Sequence, residues 1–477
     1  MANGDVPSYL TTATPNPLGN RAPWFKNTAQ SYAGIFLWIA FFDQLAGNAD
    51  GPGALGLGGL GVALLALVCA GVLSVVLFYA VPGLLGMRTG LPLYIVGTST
   101  FGTKGGYFLP GIFMGLLQIG WYSVATFFAA KLVLEGIGLK EHAVSVFGPA
   151  AKFDVLFVVT AVIWGYVFAF LGAKGIAYVA RIATFMPLVI IAMLLVGALS
   201  AAGTIADYKP AGDQTLPGFF LIIQLVIGFF ATAGAVGADF CMNNRDEKDV
   251  WFGGAVGVGL ATVVAGGLAV ITVAGAAGAN PDMQNFSYSA ALPSVNATLG
   301  NWMLILFAIG SMAPACFCSF IIGNSLSTML GSEKTRVPLT LGGATIGIIL
   351  AALGVAGNLA PFFGLIGASF GPVIGAMIAD YLLSGGKWAG PRRGISVPGY
   401  AAWVLGFVVG ILNHPWIGVL PGWHMTSVYS LVVGFVVYFL LAKAGMEAEV
   451  VHLPNLKLAA AKPGDTATVA EAAPPAE

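Results

Sequence analysis

Charge is the scarcest property of this chain. Only 8 % of its 477 residues are Asp, Glu, Lys or Arg, and the acids and bases balance at 20 each. Such a composition leaves no basic footprint for nucleic acid and no charged surface that would mark an obligate protein partner. Cysteine and histidine are as rare, at four residues each. Cys69, Cys241, Cys316 and Cys318 fall in or beside apolar stretches, without the spacing of a disulfide framework or a metal site, and are expected to be buried small residues. His142, His414, His424 and His452 lie away from the apolar centres and form no cluster with Asp, Glu and Cys. A buried metalloenzyme site is therefore not expected, nor is any cofactor. The first 31 residues are polar, carry Pro7, Pro15, Pro17 and Pro23, and lack the apolar core of a cleaved signal peptide. Targeting is assigned to the first membrane segment instead.

What the chain does have is apolar sequence, at 58 % of all residues. Twelve stretches reach the roughly 20 residues that a helix needs to cross a bilayer. Backbone N–H and C=O groups in lipid must pair within their own segment, so the expected fold is an all-α polytopic membrane protein with twelve transmembrane helices. The predicted segment centres are Leu37, Leu67, Leu117, Val162, Ile191, Val226, Val263, Ala308, Ile348, Gly371, Gly406 and Val433. With the N-terminus inside, only Lys131, Lys140, Lys152 and Lys209 of the 20 basic residues fall on the outer side. That bias places both termini in the cytoplasm of a plasma membrane, a bacterial inner membrane by expectation. Trp251, Trp302, Trp388, Trp416 and Trp423 sit near segment ends, as an interfacial belt requires. The Ala/Pro/Thr-rich tail over 446–477 is expected to be disordered.

Two segments are interrupted in matching places. Segment 1 (GIFLWIAFFDQLAGNADGPG) is broken by Asp43-Gln44 and dissolves into glycines after Ala46. Segment 6 (LIIQLVIGFFATAGAVGADF) is loosened by Thr232, Gly234 and Gly237. A pair of glycine-interrupted spans in corresponding positions points to a transporter site at mid-membrane, where half-helix ends leave backbone groups free for a polar substrate or an ion. In segment 3 (GIFMGLLQIGWYSVATFFAAK), Gln118 and Trp121 are three residues apart and share a helix face. An indole beside an amide that both donates and accepts suits a planar, hydrogen-bonding heterocycle.

These residues carry a family resemblance. The stretch STFGTKGGYFLPGIFMGLLQIGW, from Ser99 to Trp121, resembles the signature of cytosine permeases in the nucleobase–cation symporter 1 family. ATAGAVGADF, from Ala231 to Phe240, resembles that family's broken sixth helix. GASFGPVIGAMIADYLL, from Gly367 to Leu383, resembles its tenth. The resemblance spans roughly residues 25 to 440 and implies a leucine-transporter-like fold: a first five-helix repeat over 32–203, an inverted second repeat over 204–384, two added helices over 385–445, and cytoplasmic tails over 1–31 and 446–477. It also implies a secondary transporter that imports nucleobases or related compounds by alternating access. Trp121 matches the tryptophan on which the substrate ring stacks, and Gln118 the glutamine one turn earlier. Phe230 and Thr232 match the aromatic and hydroxyl residues that help line the site. Phe41 and Phe42 fall at the unwound part of segment 1.

The chain departs from the family at two places. Asp43 stands where cytosine permeases tend to carry a small polar residue. A carboxylate at that depth costs about 2.5–3.5 kcal/mol on insertion scales, so it is expected to face a cavity or a partner, as a substrate contact or a protonation site. In segment 8 the hydroxyl pair of sodium-coupled members is replaced by Ala313 and Pro314, with Ser311 and Ser319 nearby. Cys316 and Phe317 stand near the place of a substrate-contacting Asn or Asp. Asp43, Ser311 and Ser319 are thus the candidates for handling a coupling ion, either H+ or Na+. The alternative reading on the same fold is an amine or amino-acid carrier that uses Asp43 as counter-charge. Asp239 and Asp380 are expected to meet Arg245 or Lys387 in salt bridges. No selectivity-filter motif argues for a channel.

Overall fold

A computed structural model describes residues 6–144, 152–174, 176–210, 212–415, 417–420 and 425–456. Among them the fold is helical, with no strand beyond three isolated bridges. The main helices are α1 (Thr28–Phe36 and Ile39–Phe42), α2 (Gly53–Thr89), α3 (Tyr107–Gly136), α4 (Val155–Ala173), α5 (Ile176–Ala201) and α6 (Thr215–Ala235 and Gly237–Cys241). They continue as α7 (Glu247–Ala279), α8 (Gly300–Met329), α9 (Arg336–Ala352), α10 (Leu359–Leu383), α11 (Val397–Ile411) and α12 (Thr426–Lys443). Nine helices among the described residues are long and apolar enough to cross a membrane, and α9 and α11 are shorter apolar helices. Eleven of the predicted segment centres fall inside these helices, and Leu37 falls at the break in α1. Trp416, Trp423 and His424 lie outside the described residues, as does the side chain of Arg181.

Polar side chains set several helix starts. Asp154 accepts from the Phe157 N–H, Asp246 from Asp249, and Ser396 from Gly399, each capping donors that the first turn cannot pair itself. Helices α1, α2, α6 and α7 pack as one group and α3, α4, α8 and α9 as another, while α10 pairs with α12 and also touches α6. Small residues allow that last pairing: Gly367, Gly371 and Gly375, spaced by four, turn one face of α10 onto Ser427, Ser430 and Leu431 of α12. In a membrane, where apolar burial drives little association, such close approach supplies the packing energy.

A buried ionic cluster ties the N-terminal-side ends together. Asp380 of α10 accepts from Arg392 at 2.5 Å, from Tyr438 at 3.2 Å, from Ser99 at 2.6 Å and from Thr100 at 3.1 Å. Arg392 also meets Glu447 at 2.9 Å. Burial works against the guanidinium charge, yet Asp380, Tyr438 and Glu447 outweigh it and hold its pKa above the usual value. The expected partners are therefore corrected: Asp380 pairs with Arg392, Arg245 pairs with Asp249 at 2.8 Å, and Asp239 accepts from the Leu93 N–H at 3.2 Å. The chain folds back after α10, which brings a distant arginine closer than Lys387. His142 also finds an acid that sequence distance conceals, lying 2.9 Å from Asp154, and stands 3.5 Å from the adjacent Glu141. No group of three metal-ligating side chains forms among the described residues.

Replacing Gly375 by Ala drives a methyl into the Leu431 carbonyl oxygen. The substitution is expected to lower stability by about 1–3 kcal/mol. Thermal unfolding in detergent, with Gly342→Ala as the control because nothing lies within 4 Å of its added carbon, checks this.

Candidate functional site

A cavity of about 440 Å³ lies between α1, α3, α5, α6 and α8. Its deep end is walled by Trp38, Gln118, Trp121, Phe229 and Thr232. Its lining continues to Lys26, Asn27, Gln30 and Asn243, and Lys26 and Gln30 are exposed. No residue of α1 beyond Trp38, or of α3 beyond Trp121, lines it. The cavity is thus open on the side of the N-terminus and closed on the other.

The break in α1 comes earlier than the sequence suggests. Helix Thr28–Phe36 stops at Leu37, Trp38 is extended at φ −94° and ψ 133°, and a second short helix runs over Ile39–Phe42. Neither glycine nor proline stands at this break. Tertiary contacts hold it instead. The Trp38 indole N–H donates to Ser311 Oγ at 3.2 Å, and its ring lies 6.0 Å from Trp121 and 6.2 Å from Phe229. The glycines after Ala46 shape the loop before α2, where Asn48 and Gly51 pair with each other. Phe41 and Phe42 are consequently helical and buried, not unwound, and neither lines the cavity. In α6 the break falls at Val236, between Gly234 and Gly237. The Ala233 carbonyl freed there accepts from the Tyr32 hydroxyl at 2.8 Å.

Trp121 and Gln118 share the cavity face of α3. The Trp121 N–H donates to Thr232 Oγ at 3.0 Å, joining α3 to α6. Among the described residues the Thr232 hydroxyl finds no acceptor for its own proton and the Gln118 amide meets only Met114 Sδ at 3.5 Å, so both groups are available to a ligand. Phe229 packs edge-on against Trp121 at 5.2 Å. Phe230 turns away and stacks on Phe36 at 5.5 Å. The physical reason is helical register: Phe229 is three residues from Thr232 and shares its face, whereas Phe230 is rotated by about 100° from Phe229. Phe229 therefore takes the wall position expected of Phe230.

The remaining candidates are not brought to the cavity. Asp43 is 0 % exposed and engaged on the far side, with Lys131 Nζ at 3.5 Å and the Ser289 N–H at 2.8 Å. Ser319 donates to the Cys316 carbonyl at 3.0 Å and packs on Gly172 of α4. Ser311 donates to the Phe307 carbonyl at 3.2 Å while accepting from Trp38. On α8 the cavity is lined by Gly310, Ala313, Pro314, Phe317 and Cys318, whereas Cys316 faces the Phe168 carbonyl of α4. Sequence reasoning missed Trp38 and Phe229. The spacing of Phe229 to Thr232 was a readable signal; Trp38, inside an apolar run, offered none.

The profile of a family described as permease for cytosine/purines, uracil, thiamine, allantoin matches residues 49–434. The cytosine permease of Escherichia coli (strain K12) is 26 % identical over 362 residues, covering 71 % of this chain and 75 % of that protein. A structure of Mhp1 in an inward-facing conformation superposes with a TM-score of 0.67 at 16 % identity, over 93 % of this chain and 94 % of that one. A closed conformation of Mhp1, a nucleobase-cation-symport-1 family transporter with bromovinylhydantoin bound, gives 0.64 at 17 % identity, over 92 % and 97 %. These likenesses establish the fold, and the match over 49–434 establishes the kinship. The chain belongs to the permease family for cytosine/purines, uracil, thiamine and allantoin.

Proposed function

We propose that this permease imports a neutral, planar nucleobase-like heterocycle by alternating access, and that the substrate binds at the deep end of the cavity. One observation carries the reading. The wall there is aromatic on several sides, from Trp38, Trp121 and Phe229, and its polar groups are an amide and a hydroxyl. A ring against Trp121 and Phe229 gains contact area at little entropic cost. The Thr232 hydroxyl donates to a ring nitrogen or carbonyl, while the Gln118 amide accepts from an adjacent N–H, which matches the edge of a cyclic amide. The nucleobase class is supported by the cytosine permease likeness and by the hydantoin bound to Mhp1.

Among the described residues Lys26 is the one charged side chain in the lining, and no carboxylate stands there. Geometry thus gives no support to an amine held by Asp43, whose carboxylate is engaged elsewhere. The breaks in α1 and α6 support two five-helix repeats over 32–203 and 204–384, and the distribution of Lys and Arg supports twelve crossings of a plasma membrane with both termini inside. In that orientation the cavity opens to the cytoplasm.

Trp121→Ala and Phe229→Ala are each expected to remove about 1–3 kcal/mol of binding, roughly 5- to 150-fold in Kd. Phe230→Ala is expected to change it far less. Thermal stabilisation of the purified protein by cytosine, hypoxanthine, allantoin and hydantoin reads these effects; stabilisation by amines instead of planar bases would sink the nucleobase reading.

The coupling ion is a separate matter of oxygen ligands. The α8 surface beside the α1 break presents Ala313 and Pro314, and the Ser311 hydroxyl is already shared between Phe307 and Trp38. Without free side-chain hydroxyls there, we expect exchange of sodium for choline to alter base-induced stabilisation less than twofold in apparent Kd, and a proton gradient to drive uptake in proteoliposomes. A tenfold loss of affinity in choline would show instead that backbone carbonyls suffice to hold sodium.

A further inference from the structure

Asp43 closes the second half of α1, and everything it touches lies beyond the blind end of the cavity. Its Oδ1 accepts from the Ser289 N–H at 2.8 Å, its Oδ2 lies 3.5 Å from Lys131 Nζ, and its backbone carbonyl accepts from the Tyr288 N–H at 2.8 Å. Lys131 donates to Ser289 Oγ at 3.1 Å and stands 4.0 Å from Glu135 on its own helix. Three elements therefore converge: the end of α1, the last turns of α3, and the short helix Tyr288–Val295. Just beneath, Phe42 meets Tyr288 edge-on at 5.1 Å and Phe307 at 5.6 Å, and these rings fill the remaining space. Lys131 lies ten residues along α3 from Trp121, or about 15 Å along the helix axis.

We propose that Asp43 and Lys131 form the latch of the outer gate, joined while the cavity is open on the N-terminal side and parted when the opposite side opens. A carboxylate at this depth is tolerated only with a full set of partners, and Asp43 has that set only when all three elements are together. A path from the outer surface to Trp121 has to run between these elements, so opening it separates at least one of them from Asp43. The charge pair thus biases the balance between the two states without touching substrate: Asp43 and Lys131 are positioning residues. This explains the carboxylate that distinguishes segment 1, and it assigns Lys131, a basic residue on the sparsely charged outer side, its task.

The inference rests on the alternating-access reading, and its test needs no substrate. In a variant lacking Cys69, Cys241, Cys316 and Cys318, a reporter cysteine is placed at Ala46, buried beside the latch, or at Gln30, exposed in the cavity. Labelling by a hydrophilic maleimide is timed on the purified protein. Asp43→Asn and Lys131→Met are expected to speed labelling at Ala46→Cys by about fivefold or more and to slow it at Gln30→Cys by a similar factor, as a population shift requires. Ser289→Ala gives a smaller change in the same direction, and Lys131→Arg restores the native rates. Unchanged rates in monodisperse Asp43→Asn and Lys131→Met proteins overturn the proposal. So does acceleration at both reporters together, which marks simple loosening. Should Asp43→Asn not fold, Lys131→Met and Ser289→Ala decide by the same criteria. A labelling shift without stabilisation by any base would leave the latch standing while removing the nucleobase reading.

Discussion

An interrupted backbone inside a bilayer has nowhere to find hydrogen-bond partners except within the protein, and the arrangement around the cavity follows from that constraint. The breaks at Leu37–Trp38 in α1 and at Val236 in α6 lie at the cavity, each held by a side-chain bond to another helix. The Tyr32 hydroxyl covers the Ala233 carbonyl, and the Trp38 indole fastens the first break to Ser311 of α8. Thr232 and Gln118 keep hydrogen-bonding capacity toward the cavity, which a polar substrate can use.

The two ends of α1 are held by different chemistry. At its start, Asn27 and Thr28 both donate to Asn244, so α1 is tied to the turn between α6 and α7, and Arg21, just before it, reaches the Met87 carbonyl of α2 at 2.5 Å. These are neutral or solvent-reaching contacts within one helix group. At its far end, Asp43 is joined through a buried charge pair to α3, which belongs to the other group. Motion between groups therefore strains the far end of α1 while leaving its start intact. The cavity lies between the same two groups, which links the space for substrate to the surfaces that must slide.

Aromatic residues divide the work along this axis. Trp38, Trp121 and Phe229 wall the cavity, while Phe42, Tyr288 and Phe307 fill the region on the closed side. Phe36, Phe41 and Phe230 form a layer behind them, with Phe36 only 4.9 Å from Phe41. Rings of similar size thus serve as ligand wall, plug or packing according to which side of a helix they occupy.

The sequence alone determined the helical membrane class and the positions of the segments, because spanning lipid demands long apolar runs that are visible without a fold. It also determined the pairing of Gln118 with Trp121, since three residues along a helix are neighbours in any environment. The break in α6 was legible from Gly234 and Gly237. Only the tertiary structure decided where α1 breaks, because Trp38 is held extended by Ser311, Trp121 and Phe229 from other helices and by no local punctuation. That Phe229 and not Phe230 shares the Thr232 face was legible from their three-residue spacing, but only the tertiary structure turned that face to the cavity. Finally, it joined Asp43 to Lys131 across 88 positions of chain, a charge pairing that depends on how helices assemble and that no local pattern encodes.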